Sequence, residues 1–422
     1  MRKILVSAYG CEPYRGSEAG VGWNWVLQMA RFNELFVIAR KNDKDKIEKK
    51  LPVEYKNTVH FFYYDTCPFL QKIKKKEKGL YLYYWLWQIG VIPLIAKIIR
   101  DYKPDYTMHL TFGSLWMPTF LPFFNVPFIW GPIGGGDGVP KKLLSILPLK
   151  QRFVQSMRYV MIATSWLNPL VVIPSKKACL ILCRTENNRD AIPKKYRHKC
   201  HIILETAMEE EVFTNCKDYD KVSDYVKIIV TGRLVPFKNT MTALECIDTL
   251  IKEHQNIHMS IIGKGSEENK ISTYIQKHNL ETVVELIPEI PRDQLLKMLS
   301  DADIYFFPSL REGGSWALME AMAVGLPVVC LNWTGMKIIT DTNSAIQIEP
   351  NEYEQIKNGF TEGLDKLIID RGLRISMGSA ARNRIKNLFN WEHVGDQFNR
   401  ILNQCEMMQI GVRGQTCRKE LQ

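Results

Sequence analysis

Residues Arg311–Val329 read REGGSWALMEAMAVGLPVV and follow the apolar run IYFFPSL at 304–310. The run has the character of a buried strand, and Leu318, Met319, Ala321 and Met322 that of a helix, so the chain passes from strand through a tight turn to a helix N-terminus. The first N–H groups of a helix lack partners and its dipole favours negative charge, which makes such a junction an anion site. Ser315 suits the N-cap, with Glu312 in the preceding loop and Glu320 in the second turn. Carboxylates do not bind phosphate, so a ligand carrying hydroxyls beside its phosphates suits the pair. Taken alone, a loop acid and a solvated helix acid are the commoner explanation of two such glutamates.

The chain has 422 residues, enough for about two to three domains. Its 46% hydrophobic and 24% charged residues are those of a soluble globular protein. Residues 1–200 carry 32 Lys and Arg against 14 Asp and Glu, a net of +18; the remaining 24 against 31 give −7. A basic first half suits an acidic partner: an anionic membrane face, a charged acceptor or nucleic acid. No RRM, KH or zinc-finger signature is present, so nucleic acid is not expected. Ten scattered cysteines, the nearest pair being Cys179 and Cys183, complete no metal set and suit a reduced, cytoplasmic setting. MRKILVSAYGC has too short an apolar run for a signal peptide and reads as the first strand. Residues 79–96, GLYLYYWLWQIGVIPLIA, hold no charge, yet Gln88, Pro93 and the strand that follows favour a helix on the sheet or on a membrane surface over a span. The basic run QKIKKKEKG just before it would suit anionic lipid.

Strand-like runs alternate with helical patterns from KILVSAY to IWGPIGG and again from VKIIVTGRL to LPVVCLN, which predicts an α/β protein of two doubly wound, Rossmann-like domains. Such folds bind ligands outside the carboxyl ends of their strands, here in a cleft between the domains. Several of those ends carry chemistry. VTGRLVPFKN offers Arg233 and Lys238 to a diphosphate. IIGKG offers a close backbone approach at Gly263, and YGCEPYRGSEAGVGWNW a permissive loop with Gly16, Ser17, Gly20 and Gly22. His109 closes YTMHLTFG, and IWGPIGGGDG holds Asp137. No G-x-G-x-x-G follows a strand, which argues against a nicotinamide dehydrogenase.

Together these residues resemble the GT-B glycosyltransferases of family 4 over about residues 3–400. EGGSWALME matches the E-x7-E motif and GRLVPFKN the phosphate-binding Arg and Lys loop; GSEAGVGWNW and HLTFGS add to the match. Ser315 stands where many members have glycine, and Lys337 where many have glutamate. The resemblance implies an acceptor-side domain at 1–206, a nucleotide-sugar-binding domain at 207–385, and a C-terminal helix at 386–410 returning to the first. It implies retaining transfer of a hexose-type sugar from a nucleoside-diphosphate sugar to a glycan or lipid-linked acceptor, in capsule, exopolysaccharide or lipopolysaccharide assembly. Glu312 would contact the donor sugar, Glu320 the ribose, and Arg233 and Lys238 the leaving diphosphate, while His109 would orient donor or acceptor. Gly16, Gly263, Gly313, Gly314, Ser315 and Trp316 would complete the donor site. No metal or other cofactor is expected, and the protein would be cytoplasmic and peripheral at the inner face of the membrane. The alternatives are a non-catalytic nucleotide-sugar-binding scaffold, a GT-B epimerase, and a metal-dependent GT-A transferase prompted by Asp301-Ala302-Asp303.

Overall fold

The computed structural model describes residues 1–14, 16, 18–71, 79–221 and 223–419. Ser17 and most of the basic run, 72–78, lie outside them. The chain forms two compact units, one of residues 1–136, 162–205 and 391–422, the other of residues 137–161 and 206–390.

The first unit holds a sheet of β1 (Arg2–Ser7), β2 (Asn33–Arg40), β3 (Val59–Tyr64), β4 (Tyr106–His109), β5 (Phe128–Ile133), β6 (Ala178–Cys183) and β7 (Cys200–Ile202). Its order is β3-β2-β1-β4-β5-β6-β7 and every pairing is parallel. Strands such as LFVIA and IWGPI are buried on both faces, which explains their unbroken apolar runs. The second unit repeats the plan with β8 (Val226–Thr231), β9 (Ile257–Ile262), β10 (Val284–Ile287), β11 (Ile304–Phe307), β12 (Val328–Leu331) and β13 (Ala345–Ile348), in the order β10-β9-β8-β11-β12-β13.

The aromatic segment forms two helices, Leu80–Gly90 and Ile92–Tyr102, bent by 40°. Tyr83, Tyr84 and Trp87 are wholly buried in the first unit's core, and Tyr9 meets Tyr84 and Trp87 edge-on at 5.1 and 5.2 Å. Among the described residues no single helix is long and apolar enough to cross a membrane. The outer face of Leu80–Gly90 leaves Tyr81, Leu82 and Ile89 exposed.

Two boundaries differ from the sequence reading. Residues 137–161, expected in the first domain, belong to the second unit, because hydrogen bonds hold them there. Trp333 Nε1 donates to Gly138 O at 2.8 Å, Arg311 Nη1 to Asp137 O at 3.3 Å, and Lys142 Nζ to Asn351 Oδ1 at 3.1 Å. Residues 386–390 also stay with the second unit: Met208 N–H donates to Phe389 O at 2.7 Å. The last helix, Trp391–Lys419, packs on helix Glu18–Ala30 of the first unit, with Phe398 edge-on to Trp25 at 5.8 Å. Glu406 on that helix accepts from Arg2 Nε at 2.7 Å and from Tyr106 OH at 3.0 Å.

Phe398 has no exposed surface. Phe398→Ala should therefore destabilise the first unit by about 3–5 kcal/mol, read as an earlier urea transition; an unchanged midpoint would show that the helix does not depend on this contact.

Candidate active site

Strands β8 and β11 are neighbours, but the chain leaves β8 for β9 on one side and β11 for β12 on the other. Loops that diverge in this way leave space at the carboxyl ends of the two strands. The loop after β8 carries Arg233 and Lys238, and the loop after β11 carries Glu312, Gly313, Gly314 and Ser315. The two loops are joined directly: Leu310 N–H donates to Phe237 O at 2.8 Å and Asn239 Nδ2 to Pro308 O at 3.3 Å.

The joined loops bring Lys238 Nζ to 2.5 Å from Glu312 Oε1, with each side chain only 14% exposed. Ser309 Oγ donates to the same carboxylate oxygen at 2.6 Å. Glu312 N–H donates to Thr334 Oγ1 at 3.1 Å, and Gly335 N–H to Glu312 O at 2.9 Å, so backbone and side chain are both fixed. A Cβ on Gly335 would lie 1.7 Å from Gly313 O, which makes glycine obligatory there. Gly263, after β9, has φ +151° and lies so close to the β8 loop that a Cβ would come 1.9 Å from Gly232 O.

Beside this pair is a pocket of about 410 Å³, bordered by Gly232, Arg233, Gly263, Glu289, Arg292 and Ala317. Ser315 caps helix Trp316–Val324 by accepting from Leu318 N–H at 3.4 Å. Glu320, on that helix, is buried, and its Oε1 accepts from Arg292 Nε at 2.6 Å. Arg292 also donates to Glu209 Oε2 at 2.7 Å and lies 5.8 Å over the ring of Trp316. Burial raises the Glu320 carboxyl above its ordinary range while the Arg292 charge opposes it. Arg311, next to Glu312, is lowered to about 10, first by burial and then by repulsion from Arg158.

The second unit thus brings together Arg233, Lys238, Gly263, Glu312, Gly313, Gly314, Ser315, Trp316 and Glu320. His109 and Gly16 belong to the first unit, at the end of β4 and in the loop after β1. Burial lowers the His109 imidazole to about 4, against a weaker opposing effect of a backbone hydrogen bond at Phe112. Tyr84 OH lies 3.5 Å from its Nε2. Asp303, at the start of β11, is on the opposite edge of the sheet from the pocket. It accepts from Lys227 N–H at 2.9 Å and pairs with Lys217 at 3.1 Å, and so ties the start of β11 to β8.

Sequence reasoning missed Ser309, Thr334 and Arg292. Ser309 sat inside the quoted strand run, and its hydroxyl gave no sign of reaching Glu312. Thr334 has φ +49°, a left-handed position that no local pattern announces. Arg292 follows Pro291 at a helix start and looks like any surface base; only the fold carries it to Glu320.

Residues 213–384 match the family of glycosyl transferases, group 1. The match lies wholly within the second unit. Over 206 residues, 46% of this chain and 47% of the relative, the sequence is 30% identical to the amylovoran biosynthesis glycosyltransferase AmsK of Erwinia amylovora. It is 25% identical to the capsular polysaccharide biosynthesis glycosyltransferase CapM of Staphylococcus aureus over 202 residues, 45% of this chain and 50% of the relative. These matches span about half the length of the curated relatives. The Escherichia coli trehalose-6-phosphate structure bound with UDP-2-fluoro glucose superposes over 95% of this chain and 99% of its own, with a TM-score of 0.64 and 13% identity. That likeness shows the fold, GT-B, with its two parallel-sheet α/β domains. The matched span holds the Lys238–Glu312 pair, the pocket and Glu320.

Two outcomes follow from this geometry. Arg292→Ala should cost the second unit about 1–3 kcal/mol, less than a wholly buried pair because Arg292 is 43% exposed, and Arg292→Lys should recover part of it. Urea titration of the three proteins checks this. A histidine whose pKa is lowered on folding is most stabilising above its unfolded value of 6.5 and loses that contribution as the pH falls towards 4. His109→Gln should therefore flatten the decline of first-unit stability over that window by up to about 3 kcal/mol; parallel pH profiles would contradict it.

Proposed function

We propose that the protein is a retaining glycosyltransferase that moves a hexose-type sugar from a nucleoside-diphosphate sugar to a glycan or lipid-linked acceptor. The observation that carries this reading is the Lys238–Glu312 pair standing beside a pocket bordered by Arg292, which in turn donates to the buried Glu320. Supporting it are the group 1 match, relatives named for amylovoran and capsular polysaccharide biosynthesis, and a structural neighbour bound with UDP-2-fluoro glucose.

In this reading the nucleoside occupies the pocket, with its ribose hydroxyls donating to Glu320. The diphosphate lies between the two glutamates, at the loop holding Gly313, Gly314 and Ser315. Lys238 and Arg233 stabilise the negative charge that builds on the departing diphosphate, the electrostatic contribution expected to dominate such a step. Without a donor, Lys238 is neutralised by Glu312; diphosphate takes over that role and frees the Glu312 carboxylate for the hydroxyls of the transferred sugar. Attack on the same face, with the leaving phosphate accepting the acceptor's proton, retains the anomeric configuration.

Two cationic side chains supply the charge a metal would otherwise bring, so the reaction is expected to proceed without one. The first unit is assigned the acceptor, with His109 and the loop at Gly16 at the ends of β4 and β1. A neutral His109 accepts or donates a hydrogen bond without adding charge. The protein is placed in the cytoplasm, peripheral at the inner face of the membrane, in surface polysaccharide assembly.

A thermal-shift panel of UDP, GDP, ADP and dTDP with their common sugars, run in EDTA and then in manganese, tests the reading. One nucleotide should stabilise the protein in EDTA, by about 2.7 kcal/mol at a hundredfold excess over its dissociation constant. Stabilisation only with manganese would refute the metal-free mechanism. Binding without turnover towards any lipid-linked or glycan acceptor would favour the scaffold. Lys238→Ala and Glu312→Ala should each lower transfer by about 100-fold or more with the fold retained; full activity in both would sink the assignment.

A further inference from the structure

The strand order β10-β9-β8-β11 gives the pocket of the second unit a direction. With the diphosphate at the loops after β8 and β11 and the ribose at Glu320, as proposed, the loops after β9 and β10 remain for the base. They stand one and two strands beyond β8, the further of them about 10 Å away at the usual strand spacing. This part of the pocket is apolar at Ile262, Ile290 and Leu295, which suit the faces of a flat ring, and it carries two charges, Lys264 and Glu289.

The backbone places both charges. Gly263 N–H donates to Ile287 O at 3.0 Å and Leu234 N–H to Lys264 O at 2.9 Å, so the β9 loop is fastened to β10 on one side and to the β8 loop on the other. Pro288 and Pro291 bracket Glu289 and Ile290 and restrict the chain that holds the acid. Lys264 and Glu289 are exposed, and their side chains make no hydrogen bond or ion pair among the described residues, with each other included. Two opposite charges thus border one pocket from adjacent loops, both open to a ligand.

A lysine ammonium only donates, and a carboxylate only accepts, with two oxygens side by side. The edge that answers them has one acceptor followed by two adjacent donors. Guanine has that edge, in O6, N1–H and the N2 amino group. Uracil and thymine flank their single N3–H with O4 and O2, so the second oxygen of a carboxylate would meet another acceptor. Adenine sets its N6 amino group beside the N1 acceptor, with the same result. We infer that Glu289 and Lys264 select guanine, Glu289 accepting from N1–H and the N2 amino group and Lys264 donating to O6, and that the donor is a guanosine diphosphate sugar. A bidentate contact to a charged group separates the bases more sharply than stacking, which every base offers. The inference rests on the donor-site reading and adds the base to it.

Calorimetric titration of the full chain with GDP, UDP, ADP, dTDP and inosine diphosphate, in EDTA and in manganese, is the test. GDP should bind about tenfold or more tightly than UDP, ADP and dTDP; inosine diphosphate, which keeps O6 and N1–H but lacks the amino group, should fall between. Glu289→Ala should lower GDP affinity by about tenfold, leave UDP affinity within about twofold, and remove the difference between GDP and inosine diphosphate. Lys264→Met should weaken GDP and inosine diphosphate alike, because both keep O6. Both positions are exposed, so the fold should survive either change. Tighter binding of UDP, ADP or dTDP than of GDP would overturn the inference and leave the donor-site reading standing, as would a preference for GDP that Glu289→Ala leaves intact. Binding of none of the five would overturn the donor-site reading, and the choice of base with it.

Discussion

The adjacency of β8 and β11 is the constraint on which the candidate site depends. Because the two strands pair in parallel while their onward connections part, a cationic loop and an acidic loop emerge side by side with nothing forced between them. The Lys238–Glu312 contact follows from that placement. Its geometry is held by neighbours that do no chemistry themselves: Ser309 on the carboxylate, Thr334 on the amide, and the carbonyl of Phe237 receiving Leu310. A site whose charged groups are locked in this way meets a ligand without first ordering them, which lowers the entropic cost of binding.

The second acid is organised differently. Glu320 lies in a largely buried position that on its own favours the protonated form, and Arg292 counters this at hydrogen-bond distance while Glu209 and Trp316 hold Arg292. Two glutamates eight residues apart thus have separate cations, Lys238 and Arg292.

The helix Leu149–Ala163 turns polar side chains toward its own unit and leaves Leu149, Phe153 and Met157 exposed. Arg158 and Tyr159 donate to the carbonyls of Asp137 and Val139 in their own unit. The aromatic helix Leu80–Gly90 instead buries Tyr83, Tyr84 and Trp87 in the first core and leaves a narrower apolar edge outside.

Periodicity and glycine placement were enough to read the two parallel α/β units, the strand-turn-helix at Glu312, and the loops of Arg233, Lys238 and Gly263, because each is written in a continuous stretch of chain. The helix cap at Ser315 was legible for the same reason. The tertiary structure alone decided which unit owns residues 137–161, since that rests on hydrogen bonds to Trp333 and Arg311 almost two hundred positions away. It alone brought Arg292 to Glu320 and made Asp303 a strand tie. It alone turned the apolar stripe of Leu149, Phe153, Met157 and Val160 outward: a sequence shows that a helix has two faces, but only packing decides which of them meets the core.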